Sequence, residues 1–197
     1  MDSIYVRSIF AKHEAQQICD DIASEEYGKF KRSRLYDTSD GKMIFKEMPN
    51  QRRSWEQTYY AHSRFAWIKQ RVTNHVKEAL DEFGMNIDDI AYPQGLRFIK
   101  YEASEHGFQD WHTDKSKSNR ILSCVIQLTD PATYQGGRLE FKSPIINREV
   151  SVEQGSLIIF PSAQLHRVTE CTHGTRYSLI IWADEKGLDL PEGFVEE

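Results

Sequence analysis

Two histidines and an aspartate stand in an order that suits a transition metal. His112 and Asp114 are one residue apart in Asp110-Trp111-His112-Thr113-Asp114, and His166 follows in Gln164-Leu165-His166-Arg167-Val168. Arg176 comes next, in Gly174-Thr175-Arg176-Tyr177-Ser178. Two imidazoles and one carboxylate on one face of a ferrous ion leave its other positions open for a chelating cosubstrate and for dioxygen. A four-ligand structural site leaves none. Side chains two apart on a strand project to the same face, so His112 and Asp114 can reach one ion. Arg176, ten residues after His166, offers a guanidinium fork that holds a carboxylate by two parallel hydrogen bonds. Ser178, on the same strand face, adds a hydroxyl, and Tyr101 a phenol. An isolated His-x-Asp is usually two unrelated residues. The weight here lies in the combination, since four such polar groups would be costly inside a metal-free barrel.

These residues need strands to hold them. After Pro93 the chain breaks into short apolar runs rich in β-branched and aromatic residues, separated by turn signals at Gly107, Asp130-Pro131, Gly136-Gly137, Gln154-Gly155 and His173-Gly174. Strands are expected near 96–101, 108–113, 121–128, 137–141, 149–152, 156–160, 166–169 and 175–182. Eight short strands suit a jelly roll, which brings His166 beside His112 by closing two sheets around a cavity. Upstream, Ala15, Ile18, Cys19 and Ile22 share one helical face within 10–24, and a second helix is expected over 61–83, where Phe65, Ile68, Val72, Val76, Ala79, Leu80 and Phe83 recur at three or four. Between the helices, 29–55 is polar and charged and reads as a long loop or irregular hairpin, a candidate lid. The fold class expected is α+β: a double-stranded β-helix (jelly roll, cupin-like) with amino-terminal helices packed on one sheet.

The bounds fit a small enzyme. At 197 residues with 39% hydrophobic composition the chain supports one domain with a real core and is short for two. The expected division of 1–197 is 1–95 as helical support and lid, 96–184 as the catalytic jelly roll and 185–197 as a tail. Lys and Arg number 25 against 30 Asp and Glu, a net charge of -5 that argues against nucleic acid as partner. No signal-peptide pattern opens the chain and no apolar run reaches the roughly 18 residues that span a bilayer, so no membrane partner and a cytoplasmic location are expected. Cys19, Cys124 and Cys171 form no Cys-x-x-Cys pair and read as small apolar side chains.

Residues 96 to 182 resemble the catalytic domain of the prolyl 4-hydroxylase-type 2-oxoglutarate and iron(II)-dependent dioxygenases. The likeness rests on Tyr101 with His112-Thr113-Asp114, the Gly-Gly turn in Tyr134-Gln135-Gly136-Gly137-Arg138-Leu139, the run Gly155-Ser156-Leu157-Ile158-Ile159-Phe160-Pro161-Ser162, and the closing His166 and Arg176 segments. The span from Tyr101 to His112 is longer than the family's usual one. The resemblance implies that His112, Asp114 and His166 bind Fe(II), that Arg176 binds the distal carboxylate of 2-oxoglutarate, and that Tyr101, Ser178 and Gln127 assist. It implies O2 as second cosubstrate, ascorbate as an accessory reductant, and release of succinate and CO2. Halogenating relatives replace the carboxylate ligand with a small residue; Asp114 favours hydroxylation. The substrate implied is a prolyl residue of a peptide or protein, with Trp111, Trp182, Tyr177 and the 29–55 segment building its pocket. Arg53 and Trp55 are the candidates in Arg52-Arg53-Ser54-Trp55, a stretch similar to small phage and bacterial members. Lys115 and Lys117 either solvate a loop or attract an acidic or phosphate-bearing substrate.

Competing readings are the same chemistry on a free amino acid, small molecule or nucleic-acid base, and a sensor that holds iron and 2-oxoglutarate without turnover. Oxidative demethylases of nucleic acid carry a further arginine shortly after the anchoring one, and 176–182 has none. Intact ligands and anchor weigh against a sensor.

Overall fold

The computed structural model describes residues 4–37, 44–59, 63–87, 89–115, 119–142, 150 and 153–186. The first half contributes β1 (Tyr5–Ser8), α1 (Lys12–Ala23), β2 (Lys31–Arg32), β3 (Leu35–Asp37), β4 (Ile44–Lys46), β5 (Arg52–Arg53), β6 (Trp55–Tyr59), α2 (Ala66–Glu82) and β7 (Ile90–Ala91). The second contributes β8 (Leu96–Glu102), β9 (Phe108–His112), β10 (Arg120–Gln127), β11 (Gln135–Gly136), β12 (Leu139–Phe141), β13 (Ser156–Pro161), β14 (His166–Val168), β15 (Cys171–His173) and β16 (Thr175–Glu185).

From β8 onward the long strands alternate between two facing sheets. β8, β10, β13 and β16 join a large antiparallel sheet in the order β1-β13-β10-β16-β8-β6-β2, while β9, β12 and β14 form a smaller one in the order β12-β14-β9-β5. This alternation is the double-stranded β-helix. Strand parity decides which side chains see which layer. On β10, Leu122, Cys124 and Ile126 face the helices, and Ser123, Val125 and Gln127 face the second sheet. On β16 Leu179, Ile181 and Ala183 join the helix side. Two apolar cores result, one between large sheet and helices and one between the sheets. Each fully buried Ile or Leu contributes roughly 1.5–3 kcal/mol.

α2 presents Ile68, Val72, Val76 and Ala79, all fully buried, to that outer face. Its end is a Schellman motif: Gly84 takes φ +66, the Gly84 N–H donates to Asp81 O at 3.1 Å, and the Met85 N–H donates to Leu80 O at 2.9 Å. α1 starts where the Ala11 N–H donates to the Glu14 carboxylate at 2.9 Å, and the same carboxylate takes Arg71 of α2 at 3.0 Å. One acidic side chain thus ties both helices together.

Several expectations shift. The second helix begins at Ala66, preceded by a 3-10 turn over Ser63–Phe65. Seven of the eight expected strands form, with ends moved by one to three residues; the eighth, at 149–152, lies outside the described residues except Val150. Within 29–55 the hairpin alternative is met by β3 and β4, which pair antiparallel, and other strands of the segment join the two sheets. β6 begins at its end and pairs with β8 in the large sheet, and β5 pairs with β9 in the small one. These pairings are long-range, and the two arginines of β5 carry no local strand signal. β1 was unforeseen for the same reason and closes the sheet against β13. No helix among the described residues is long and apolar enough to cross a membrane.

Candidate active site

β9 and β14 pair so that His112 and His166 are register partners. Asp114 lies two residues past the first histidine, beyond the end of β9, held there because its own N–H and that of Lys115 both donate to Ser162 O, at 2.9 and 2.8 Å. The three side chains converge: His112 Nε2 is 3.7 Å from Asp114 Oδ1, His166 Nε2 is 3.6 Å from Oδ2, and all three ligating atoms lie within 4.8 Å of one another.

The outer partners prepare these atoms for a metal. His112 Nδ1 donates to Asp110 O at 2.8 Å and His166 Nδ1 to Gln164 O at 2.9 Å. With the proton on Nδ1, each Nε2 carries a lone pair on the side of the shared centre, and that of His112 accepts from Gln109 Nε2 at 2.8 Å. Burial, then the charge of His166, push His112 down to about 4, so it is neutral near pH 7. Burial would by itself raise the Asp114 carboxyl, but the two imidazoles outweigh it and the pKa is lowered. Ser123 Oγ donates to Asp114 Oδ2 at 2.7 Å, and the Trp182 indole N–H lies close enough to help lower that pKa while falling short of a full hydrogen bond. Two imidazoles and one carboxylate converging on one centre fit Fe(II).

Arg176 comes from β16 in the facing, larger sheet. It is register partner to Tyr101 on β8, and Gln127 on β10 is partner to Ser178. Hence Tyr101, Arg176, Ser178 and Gln127 share the face turned to the small sheet. The Arg176 guanidinium is 1% exposed, donates from Nε and Nη2 to Gln127 Oε1 at 3.2 and 2.8 Å, and leaves Nη1 buried without an acceptor. Among the described residues it makes no ion pair. A buried guanidinium so placed can take a carboxylate. The glycine pair makes room for the Arg176 side chain and for the Glu170 backbone behind it. A Cβ on Gly137 (φ +58) would come within 3.1 Å of Arg176 Cδ, and one on Gly136 (φ +70) within 1.9 Å of Glu170 O. The long Tyr101 to His112 span is taken up by a 3-10 turn at Ala103–Glu105 and a left-handed His106. Tyr101 OH donates to Gln109 Oε1 at 3.2 Å, and burial pushes its pKa up.

Both ends open into one cavity of about 540 Å³, lined by His112, Asp114, His166, Tyr101, Arg176 and Ser178 among others. Trp111 and Trp182 also line it, as do Arg34, Leu35, Phe45, Gln51 and Arg52 from the 29–55 segment. Arg53 and Trp55 do not. Arg52 opposes Gln109 across β5 and β9 and so points inward, which turns Arg53 outward over Phe108, while Trp55 donates to Glu105. Tyr177 points the other way too, packing with Phe30 on the helix side. Lys115 is outside the cavity lining, and Lys117 lies outside the described residues. Residues the motif reading missed are Arg52, Arg97, Gln109, Arg120 and Ser123; parity from Tyr101 and Gln127 already put Arg97 and Ser123 on the inner face.

Residues 96–184 match the model of the 2OG-Fe(II) oxygenase superfamily. That stretch, a little under half of the chain, is similar to the 2OG-Fe(II) oxygenase superfamily. Its members use Fe(II), 2-oxoglutarate and O2, the set this donor arrangement fits. A PKHD-type hydroxylase of a Synechococcus species is 34% identical over 91 residues, covering 45% of this chain and 41% of the relative. One of Prochlorococcus marinus is 41% identical over 100 residues, covering 49% and 45%. The matched stretch thus spans less than half of each relative's length. The fold is that of the Pseudomonas putida prolyl-4-hydroxylase, with TM-score 0.70 at 15% identity over 95% of both chains. It is also that of a Trichoplax adhaerens prolyl hydroxylase, solved in complex with a hypoxia inducible factor oxygen degradation domain peptide fragment, with TM-score 0.69 at 12% identity over 94% of this chain and 85% of that one.

Proposed function

We propose that this chain is a 2-oxoglutarate- and Fe(II)-dependent dioxygenase that hydroxylates a prolyl residue of a peptide or protein. The observation that carries the reading is the pairing of a convergent His112, Asp114 and His166 cluster with a buried Arg176 whose Nη1 has no acceptor, in one cavity. His112 Nε2, His166 Nε2 and an Asp114 carboxylate oxygen would hold the iron. Bound there, iron with 2-oxoglutarate and O2 supplies oxidative decarboxylation to succinate and CO2 coupled to insertion of the second oxygen atom into a substrate C–H bond. Arg176 takes the distal carboxylate of 2-oxoglutarate. Gln127, accepting from two of its nitrogens, aims the fork, and Ser178 adds a hydroxyl beside it. Backbone carbonyls of Asp110 and Gln164 keep both imidazoles oriented.

The peptide part of the reading draws on relatives named as prolyl hydroxylases, one of them holding a peptide, and on a cavity open beside Trp111 and Trp182. We read the whole chain as one domain, with 1–95 supporting the jelly roll at 96–184. Its three cysteines are free and buried, which suits a reducing compartment and the cytoplasm. The test is incubation of the iron-loaded protein with 2-oxoglutarate, ascorbate, air and a panel of proline-containing peptides, read by mass spectrometry. The expected result is a gain of one oxygen on proline in at least one peptide. Succinate release with oxygen found only on another residue or on a free amino acid would reject the prolyl assignment and keep the chemistry.

A further inference from the structure

Beyond Arg176, four more arginines line the cavity: Arg34, which is exposed, and Arg52, Arg97 and Arg120 on its wall. In a chain of net charge -5 this concentration is local. Their counter-charges stand behind the wall. Glu56 lies 3.7 Å from Arg52 and 3.8 Å from Arg97, and Asp184 is the carboxylate that feels Arg120, yet neither carboxylate lines the cavity. The other carboxylates on the lining are Asp114, assigned to the metal, and Asp110, which is exposed and accepts from the Trp111 N–H at 2.7 Å.

Hydrogen bonding is incomplete in the same place. Arg97 Nε is buried and has no acceptor among the described residues, and Glu56 Oε2, too distant from both guanidiniums for a hydrogen bond, has no donor. Arg97 and Arg120 both lie over the Trp182 ring, 5.0 and 4.0 Å from its centroid. Arg120 uses its in-plane edge to donate to Asp114 O at 3.2 Å and to Gln94 Oε1, while Arg97, laid on the same indole, keeps its edge for in-plane contacts. Arg97 is rooted four residues from Tyr101, the partner of Arg176, or roughly 13 Å along the strand. It therefore serves a different end of the cavity from the 2-oxoglutarate anchor.

We infer that this wall, with Arg97 at its centre and Arg52 and Arg120 beside it, binds an oxyanion, a carboxylate or phosphate, carried by the substrate close to the carbon that is oxidised. This rests on the oxygenase reading and names the class of substrate that the site takes. The anion has three sources: the carboxylate of a free amino acid, an acidic side chain, or a phosphorylated side chain.

The test uses the full chain loaded with Zn(II), which does not turn over, and saturating 2-oxoglutarate to occupy Arg176. Binding is measured by equilibrium titration for proline-centred peptides carrying Glu, phosphoserine, Gln, Ser or Lys at each flanking position, and for L-proline against L-prolinamide. The expected result is that an anionic member of at least one pair binds about ten-fold or more tighter than its neutral counterpart, that the Lys counterpart is weakest, and that added salt narrows the gap. Which member responds identifies the source. Arg97→Gln should erase the preference. Arg97→Lys, which keeps the charge without the fork, should retain part of it and guards against a folding defect. No anion-dependent binding at any position, or a preference that Arg97→Gln leaves intact, overturns the inference. Succinate release by the iron-loaded protein in air reports separately on the oxygenase reading: release without charge preference rejects only the anion wall, and charge-selective binding without release rejects only the oxygenase.

Discussion

His112 and His166 face each other across β9 and β14 as register partners with ring centroids 4.2 Å apart, and each donates Nδ1–H to the carbonyl two residues before it. The same local device is used twice. It fixes both tautomers without any further acidic residue and directs both Nε2 atoms at Asp114.

Replacing His112, Asp114 or His166 by Ala should abolish iron-dependent turnover and lower metal affinity by about a hundred-fold or more. Ser123→Ala removes the hydrogen bond to Asp114 Oδ2 together with the one to Ser162 Oγ and should weaken binding by about ten-fold. Titration with Co(II), followed by its visible absorption, checks all four variants; wild-type affinity in any of the first three would remove that residue from the site.

Arg176→Ala should raise the 2-oxoglutarate concentration needed for half-maximal rate by about a hundred-fold, since a fork to a buried carboxylate contributes about 2–5 kcal/mol. Arg176→Lys should recover part of this through charge alone. An unchanged requirement in Arg176→Ala would place the anchor elsewhere.

Gly136 and Gly137 should separate stability from binding. Ala at 136 would drive Cβ to 1.9 Å from Glu170 O at a left-handed φ, and should destabilise the fold by about 3 kcal/mol or more. Ala at 137 meets only the flexible Arg176 Cδ at 3.1 Å. Its strain at φ +58 should cost about 1–2 kcal/mol, while the 2-oxoglutarate requirement rises as the guanidinium is pushed from Gln127. Chemical denaturation beside kinetics distinguishes the two, and equal effects would contradict this account.

The chelated protein should lose stability in mild acid through His112. Its pKa in the fold is about 4, below the usual value of about 6.5, so the unfolded chain binds the proton first. Stability from this group is complete above about pH 6.5 and is lost as the pH falls toward 4, by at most about 3 kcal/mol. Denaturation midpoints near pH 7 and pH 5 for wild type and His112→Gln provide the check; an identical pH slope in the variant would remove His112 as the source.

Much of this site was legible in the sequence because strand parity is a strict rule. His112 with Asp114, and Arg176 with Ser178, are pairs two apart, and the helical faces of α1 and α2 repeat at three and four. Arg97 and Ser123 were within reach of the same rule, extended from Tyr101 and Gln127. What could not be read was tertiary. β5 and β6 exist because β9 and β8 lie beside them, and nothing local in Arg52-Arg53-Ser54-Trp55 says which arginine turns inward. The assignment of Arg53 and Trp55 to the pocket failed there: pairing with Gln109 turns Arg52 in and Arg53 out.

The most direct measurement is succinate formation from 2-oxoglutarate by the anaerobically iron-loaded protein on admission of air, with Arg176→Ala and His166→Ala alongside. The account predicts oxygen-dependent succinate from the wild type, none from His166→Ala, and release from Arg176→Ala only at greatly raised 2-oxoglutarate. A wild-type protein that binds iron and 2-oxoglutarate and releases no succinate in air would contradict it.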